Sequence, residues 1–409
     1  MSYTIAEIEV TQPLPTLSLA ESDTGIALII RRKGKPIGFL MQKLTPKSVI
    51  TAEALSHLLA DKFSSKILQE SIREELIPAA ANLSFPSLTV AICTKDRTDN
   101  LTRCLESLLK IQQPDSNSSV RFEILVVDNA PTDKQTKDLV ATLPQVRYVL
   151  EPKPGLDFAR NSAIQAASGE LLAFLDDDVV VDRYWFDGLI EAWAENPDAA
   201  AFTGLVLPYE LATEAQILFE LEGGFRRGFE KIRYGQTLPG NPLYPCGAGI
   251  FGAGCNMTFR REILLKLNGF DEALDTGAPL PGGGDLDIFY RVIRAGYSLV
   301  YEPQYLVFHQ HRREKEKLRR QYWSWGLGFM AFVVKSYQSD PPQRSLLRRL
   351  VLWWFKYELR RMKSSLIGNH ALPLEMILAE LWGSVMGLLG GYSRSVKRIE
   401  QIHREFSSA

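Results

Sequence analysis

From Leu88 onward the apolar residues arrive in short runs, each followed by a polar stretch of helical spacing. That rhythm restricts the fold more than any other feature of the chain. Leu88–Cys93 reads as a strand and Asn100–Leu109 as an amphipathic helix. Phe122–Val127 and Val146–Leu150 are the next strands, with a polar helix between them, and Asp157–Ala167 is helical again. Glu170–Leu175 is a fourth apolar strand and runs into Asp176-Asp177-Asp178. Strands alternating with helices predict an α/β domain whose mostly parallel sheet is covered on both faces.

Each strand delivers polar groups to the same edge of that sheet. The first leads into Thr94-Lys95-Asp96-Arg97. This is neither G-x-G-x-x-G nor G-x-x-x-x-G-K, which argues against a dinucleotide site or a P-loop. The second ends in Asp128–Asp133, and the third is followed by Pro154–Asn161, a tight turn entering a helix. Open α/β sheets bind ligands at this carboxyl edge. The three adjacent carboxylates after the fourth strand repel one another, and a hard divalent cation that also holds a phosphate would balance them. A solvated turn that caps the next helix is the competing reading. The triplet alone leaves the two even.

The ordered set of segments resembles the family 2 glycosyltransferases, inverting enzymes of GT-A fold that use nucleotide sugars. It comprises Thr94–Arg97, Val127–Asn129, Gly155–Asn161, Leu175–Asp178, Asn268–Glu272, Gly283–Arg291 and Tyr301–Pro303, within about Leu88 to His311. The resemblance implies a Rossmann-like sheet, a donor such as a UDP-sugar, a saccharide or lipid-linked acceptor, and Mn²⁺ or Mg²⁺ as cofactor. It implies that Thr94 and Asp128 contact the base, that Arg160 supports the nucleotide pocket and that Asp177 lies near the ribose. Asp178 is the implied metal ligand, with Asp176 beside it. A histidine beyond the base can complete such a site, and His309 is preferred to His311.

The chemistry agrees with that expectation. The leaving diphosphate gains charge as the glycosidic bond breaks, and a cation or basic side chains stabilise it. Inversion needs one carboxylate base for the acceptor hydroxyl, and the candidate is Asp285 in Pro281–Asp287. Gly284 stands where the family usually has Glu. Asp285 also reads as an N-cap for the helix Gly284–Arg294. Asp287 is expected to support the site or to pair with Arg291 one turn on.

The remaining sequence frames this core. With 45% apolar residues, 23% charged residues and a net charge of -1, the chain has no overall attraction for nucleic acid. The 409 residues divide into a small α+β unit over 1–84, a catalytic unit over 85–311 and a helical extension over 312–409. In the first, Ile26–Ile30 and Ile37–Met41 form a hairpin around Lys33–Pro36. Helices are expected over Thr51–Ala60 and Asp61–Leu76, and Pro78 and Pro86 mark a linker. Glycines and prolines between Tyr209 and Gly284 predict loops and a binding lid. Cys93, Cys104, Cys246 and Cys255 form no C-x-x-C pair and read as core residues.

The start of the chain lacks the pattern of a signal peptide. The most apolar stretch, Ala371–Tyr392, contains Glu375 and Glu380, and its charge-free part is shorter than the roughly 20 residues that span a bilayer. A cytoplasmic location is expected, with at most peripheral contact at the inner membrane face. The segment 344–363 carries that expectation. Leu346, Leu350, Trp353, Trp354 and Tyr357 share one side of a helix, and Arg349, Lys356, Arg360 and Lys363 the other. Such a helix can lie on an anionic membrane or pack its apolar stripe on the protein, and packing is preferred. Tyr322, Trp323 and Trp325 suit a sugar platform or core packing, and packing is preferred here too. Gln321–Trp325 has Ser324 where the processive synthases have Arg, so no processive polymerase is expected. A transferase that has lost activity and serves as a nucleotide-sugar sensor or scaffold is the alternative function.

Overall fold

The computed structural model describes all residues except 77–83, 112–121, 275–276, 278, 369–371 and 408–409. Pro78, one of the two linker markers, and Ala371 lie outside the described residues.

The N-terminal part comprises β1 (Tyr3–Glu9), β2 (Leu17–Ser18), β3 (Gly25–Arg32), β4 (Lys35–Lys43), β5 (Val49–Ile50) and α1 (Ala52–Leu76). β3 and β4 are the expected hairpin. Lys33 and Gly34 both have positive φ, as a two-residue turn that matches strand twist requires. β1 adds in parallel to β3. The two expected helices are one. Asp61 and Lys62, where the second was expected to begin, sit exposed on a continuous helix, where charged residues cost little.

The central part runs β6 (Leu88–Thr94), α2 (Thr98–Leu109), β7 (Phe122–Asn129), α3 (Gln135–Ala141), β8 (Val146–Glu151), α4 (Leu156–Ala166), β9 (Leu171–Asp176), β10 (Val179–Val181) and α5 (Trp185–Glu195). It continues through β11 (Ala201–Pro208), α6 (Glu214–Leu221), β12 (Ile232–Tyr234), β13 (Asn256–Arg260), α7 (Arg261–Lys266), α8 (Gly284–Arg294) and β14 (Leu299–His309). The nine-stranded sheet has the order β10-β14-β11-β13-β9-β6-β7-β8, with β12 paired to β14. β6, β7, β8, β9, β11 and β14 point one way, and β10, β12 and β13 the other. The sheet is therefore mixed and mostly parallel, as expected.

Alternation along the strands builds two cores. Ala91, Leu125, Val127, Leu172 and Phe174 face α4, α7 and α8, while Val90, Ile92, Ile124, Val126 and Ala173 face α2 and α5. The chain winds from β6 outward through β7 to β8, then returns to place β9 on the other side of β6. The strand order thus reverses at β6 and β9, and a crevice opens beyond their carboxyl ends.

Four helices complete the molecule: α9 (Lys315–Ser339), α10 (Arg344–Leu366), α11 (Leu374–Met386) and α12 (Tyr392–Ser407). α9 and α11 cross at near backbone contact. A Cβ on Gly326 would lie 2.0 Å from the Glu380 carbonyl oxygen, and one on Gly383 2.0 Å from that of Trp323. The helical run Leu374–Ser407 is long and apolar enough, by length and composition alone, to cross a membrane. It is broken at Leu389 and Gly390, the latter with φ 96°, and Met376, Ile377, Glu380, Gly383 and Ser384 are buried against the protein.

The N-terminal sheet packs on the central part through buried groups. Arg31 is 1% exposed and reaches Asp182 at 2.5 Å and Glu7 at 2.9 Å. Tyr3 bridges to Leu211, and Lys35 pairs with Glu191 at 2.7 Å.

Candidate functional site

The crevice at the ends of β6 and β9 gathers most of the residues singled out from the sequence. Register sets Cys93 beside Asp176 and Thr94 beside Asp128. Beyond β9, Asp177 and Asp178 are both buried, at 4% and 5% exposure. Thr94 Oγ1 donates to Asp177 Oδ2 at 2.8 Å, and Arg97 Nη1 donates to Asp177 Oδ1 at 2.8 Å and to Asp178 Oδ2 at 3.4 Å. Arg312 approaches Asp178 at 3.7 Å, and His309 Nε2 lies 3.3 Å from Asp178 Oδ1. The antiparallel pairing of β10 with β14, Val179 opposite His309, brings that histidine to the triplet.

The three carboxyls differ in their compensation. Burial acts to raise the Asp178 carboxyl, but His309, Arg97 and Arg312 outweigh it and hold it well below the usual range. Burial raises Asp177 despite Arg97. Asp176 is pushed up to about 6, by burial first and then by the charge of Asp178. Asp178 is thus the best compensated of the three carboxyls, and burial leaves Asp176 and Asp177 the less readily ionised.

Asp128 sits one strand away. It is fully buried, its Oδ2 accepts the Tyr148 hydroxyl at 2.8 Å, and its Oδ1 has no hydrogen-bond partner. Burial raises its pKa, and Asp96 and Asp133 add to the effect. The next turn is tied down by Asn129, which accepts from the Gly155 N–H at 2.9 Å and donates to the Lys153 carbonyl at 2.7 Å. From that turn α4 carries Arg160 inward, 3% exposed, paired with Asp157 at 3.0 Å and lying over the Phe270 ring.

Asp285 enters from the first turn of α8. Its Oδ2 accepts the Gly254 N–H at 3.2 Å and its Oδ1 the Leu286 N–H at 2.8 Å. The N-cap is Gly283, at φ 115°, and Asp285 is the second residue of the helix, so Asp285 does not cap it. Gly254 is wedged between Asp285 and Arg160. A Cβ there would sit 3.1 Å from Asp285 Cβ and 3.2 Å from an Arg160 guanidinium nitrogen. The adjoining Cys255 thiol, raised well above its usual value by burial, also feels the charges of Asp176, Asp178 and Asp285. β13 also sets Asn256 beside Leu175, the residue before Asp176, so the Gly254 N–H that Asp285 accepts lies close to the triplet. Asp287 is buried and paired with Arg291 at 2.6 Å and with Lys335, so it braces α8.

Several residues at this edge were not read as site residues from sequence. Arg97 ends the segment Thr94–Arg97 with no local sign of its partners, and Arg312 follows His311 in a charged run. His311 was the weaker histidine candidate, and neither its partner Glu220 nor the pairing of Asp157 with Arg160 as a brace was assigned, because contacts across the fold or within a helix leave no strand-end signal. Tyr322 packs against Leu372 and Met376, and Trp325 against Phe219 and Phe225, so these rings are core. Trp323 packs beside Leu327. All four cysteines are free. Among the described residues no three His, Cys, Asp or Glu side chains are already drawn together around one point. Asp176, Asp178 and the imidazole of His309, 3.3 Å from Asp178, are the side chains at this edge that could hold a divalent cation.

The glycosyl transferase family 2 profile matches residues 89–267. The pre-mycofactocin glycosyltransferase of Mycobacterium tuberculosis is 26% identical over 234 residues, covering 56% of this chain and 44% of that protein. The glucosyl-dolichyl phosphate glucuronosyltransferase of Haloferax volcanii is 24% identical over 195 residues, 45% of this chain and 56% of its own. Succinoglycan biosynthesis protein ExoM of Rhizobium meliloti is 29% identical over 222 residues, 53% and 64%. The chain spans about half the length of the first of these relatives. Among solved structures, a mannosyltransferase of Pyrobaculum calidifontis in complex with GDP-Man and Mn²⁺ aligns with a TM-score of 0.47 and 16% identity, over 84% of this chain and 96% of its own.

Proposed function

We propose that this chain, whose residues 89–267 match the glycosyl transferase family 2 profile, moves a sugar from a nucleoside diphosphate sugar to an acceptor hydroxyl with inversion. The observation that carries the reading is the convergence of Asp285 and the Asp176–Asp178 edge at the reversal of strand order. Asp128 offers its open Oδ1 as an acceptor for an N–H of the base, beside Thr94. Asp177, held by Thr94 and Arg97, lies next along the edge, where the ribose hydroxyls would reach it. Arg160 fixes the inner wall of the pocket through Asp157.

Asp176, Asp178 and His309 would hold a divalent ion, Mn²⁺ or Mg²⁺. Bound there, that ion supplies Lewis-acid stabilisation of the departing diphosphate. Arg97 and Arg312 add positive charge from the protein at the same place. Asp285 accepts the proton of the acceptor hydroxyl as its oxygen bonds to the anomeric carbon. The bond from that carbon to the diphosphate oxygen breaks on the opposite face, and the nucleoside diphosphate leaves. A UDP-sugar is the first donor to test.

The test is turnover by Asp285→Asn, which keeps the shape but cannot take the proton. Donor binding should persist, while transfer or donor hydrolysis falls by about two to four orders of magnitude. The released sugar, followed by NMR, should carry the opposite anomeric configuration to the donor. Retained configuration, or near-normal turnover in the variant, would remove Asp285 as the base. Binding with no turnover in the wild type, on any donor, would favour the sensor reading.

We further infer a cytoplasmic enzyme that touches an anionic membrane through α10, suited to a lipid-linked acceptor. The packing side of α10 is Leu347, Leu350, Trp354, Glu358 and Arg361. Trp353 and Tyr357, grouped from sequence with the packing stripe, instead point outward and stack on each other at 5.4 Å. They join the exposed Leu352, Leu359, Leu366 and Ile367 and the exposed Arg348, Arg349, Lys356, Arg360 and Lys363. An apolar surface this wide with interleaved cations complements an anionic lipid surface.

A further inference from the structure

Behind Asp178 runs a line of side chains that the proposed reaction leaves unused. Glu220 on α6 is 1% exposed and ion-paired with Arg226. Its Oε1 lies 2.7 Å from His311 Nε2. His311 Nδ1 lies 3.0 Å from His309 Nδ1, and His309 Nε2 lies 3.3 Å from Asp178 Oδ1. Phe219 meets the His311 ring edge-on at 4.7 Å and Phe225 the His309 ring at 5.0 Å, so both imidazole planes are fixed.

Counting donors and acceptors places the protons. A carboxylate beside a guanidinium only accepts, so His311 carries a proton on Nε2. Two ring nitrogens 3.0 Å apart need one proton between them. Protonating both nitrogens of His311 would bury a second cation beside Arg226, which is costly. His311 Nδ1 is therefore the acceptor and His309 Nδ1–H the donor. His309 is left with Nε2 alone to face the carboxylate edge.

We propose that Glu220 and His311 are positioning residues that tie His309 Nδ1 as a donor to His311, leaving Nε2 at the Asp178 edge as the ring nitrogen that a divalent cation bound there would take. A metal-bound histidine commonly has its second nitrogen fixed by such an outer partner. Here the partner is a second histidine backed by a buried carboxylate. The inference rests on the metal reading above, and its first test does not.

That test is the tautomer in the metal-free wild type, read from long-range ¹H–¹⁵N spectra of ¹⁵N-histidine-labelled protein. The chain has five histidines, and single variants assign the two signals. His309 should be protonated at Nδ1 and His311 at Nε2. An unprotonated His309 Nδ1 would overturn the relay. The second test is Mn²⁺ affinity, by electron paramagnetic resonance with a nucleoside diphosphate present. His311→Phe, which suits the surrounding aromatic rings, should weaken Mn²⁺ by about 10–100-fold, the usual effect of losing an outer-sphere partner. Wild-type Mn²⁺ affinity in the folded variant would overturn the proposal. Failure of the wild type to bind Mn²⁺ with any nucleotide would sink the metal reading and the cation half of this one, with the tautomer still deciding the relay.

Discussion

Gly284 occupies a position where a glutamate is usual in the resembling family, and the structure gives the reason for its small size. A Cβ on residue 284 would fall 2.2 Å from Asp157 Oδ2. The carboxylate volume there is supplied by α4, where Asp157 also holds Arg160. Gly284→Ala should push Asp157 off Arg160, lower stability by about 1–3 kcal/mol through overpacking and weaken nucleotide binding. Thermal denaturation and calorimetry would check both, and an unchanged melting temperature would show that the carboxylate yields freely. Each residue lies in a resembling segment, but their pairing was invisible in the sequence, where Asp157 and Gly284 stand far apart. Thr94, Asp128 and Asp176–Asp178 were legible because each ends an apolar strand, and parallel strands bring their ends to one edge.

Elements show the same division between local and distant causes. The strand–helix rhythm from β6 to β9 was readable because period and burial agree residue by residue. β1, β2 and β5 were missed, because short or partly exposed strands leave weak alternation. In α10 the stripe was read with the right period but its packing side lay further round, at Leu347, Leu350 and Trp354, because α9 and α11 choose the contact. The outward face makes a prediction. Wild-type protein should sediment with anionic vesicles at low salt and be released as screening rises. Replacing Arg349, Lys356, Arg360 and Lys363 with Gln should abolish this while activity on a soluble acceptor survives. Equal sedimentation with neutral vesicles would argue against the charge complementarity.

The inner side of α10 carries a second prediction. Arg361 lies 2.7 Å from Glu358 and 2.8 Å from Glu380, so one guanidinium serves two buried carboxyls. Burial, then the charge of Glu358, pushes Glu380 up to about 7 despite Arg361. A carboxyl raised on folding favours the folded state fully below its unfolded value near 4.5, and that contribution is lost as pH rises through about 7. Glu380→Gln should therefore melt higher than wild type at pH 8, and the advantage should vanish near pH 5. A constant difference across that range would mean that Glu380 does not titrate there.

At the scale of the whole molecule, the N-terminal sheet, the mixed sheet and the C-terminal helices are joined by buried charge. Arg31 reaches Asp182, just beyond Asp176–Asp178, and α9 supplies Lys335 to brace Asp287 at the start of α8. The framework around the crevice thus draws on all three parts of the chain. The central claim is that the carboxylate edge binds a nucleoside diphosphate together with a divalent cation. Calorimetry of wild type and Asp178→Ala, with a panel of nucleoside diphosphates and with Mn²⁺ or chelator, tests it most directly. The account predicts tight binding of one nucleotide that requires the metal and disappears in the variant, with the melting transition still cooperative. Equal affinity with chelator, or in Asp178→Ala, would contradict it.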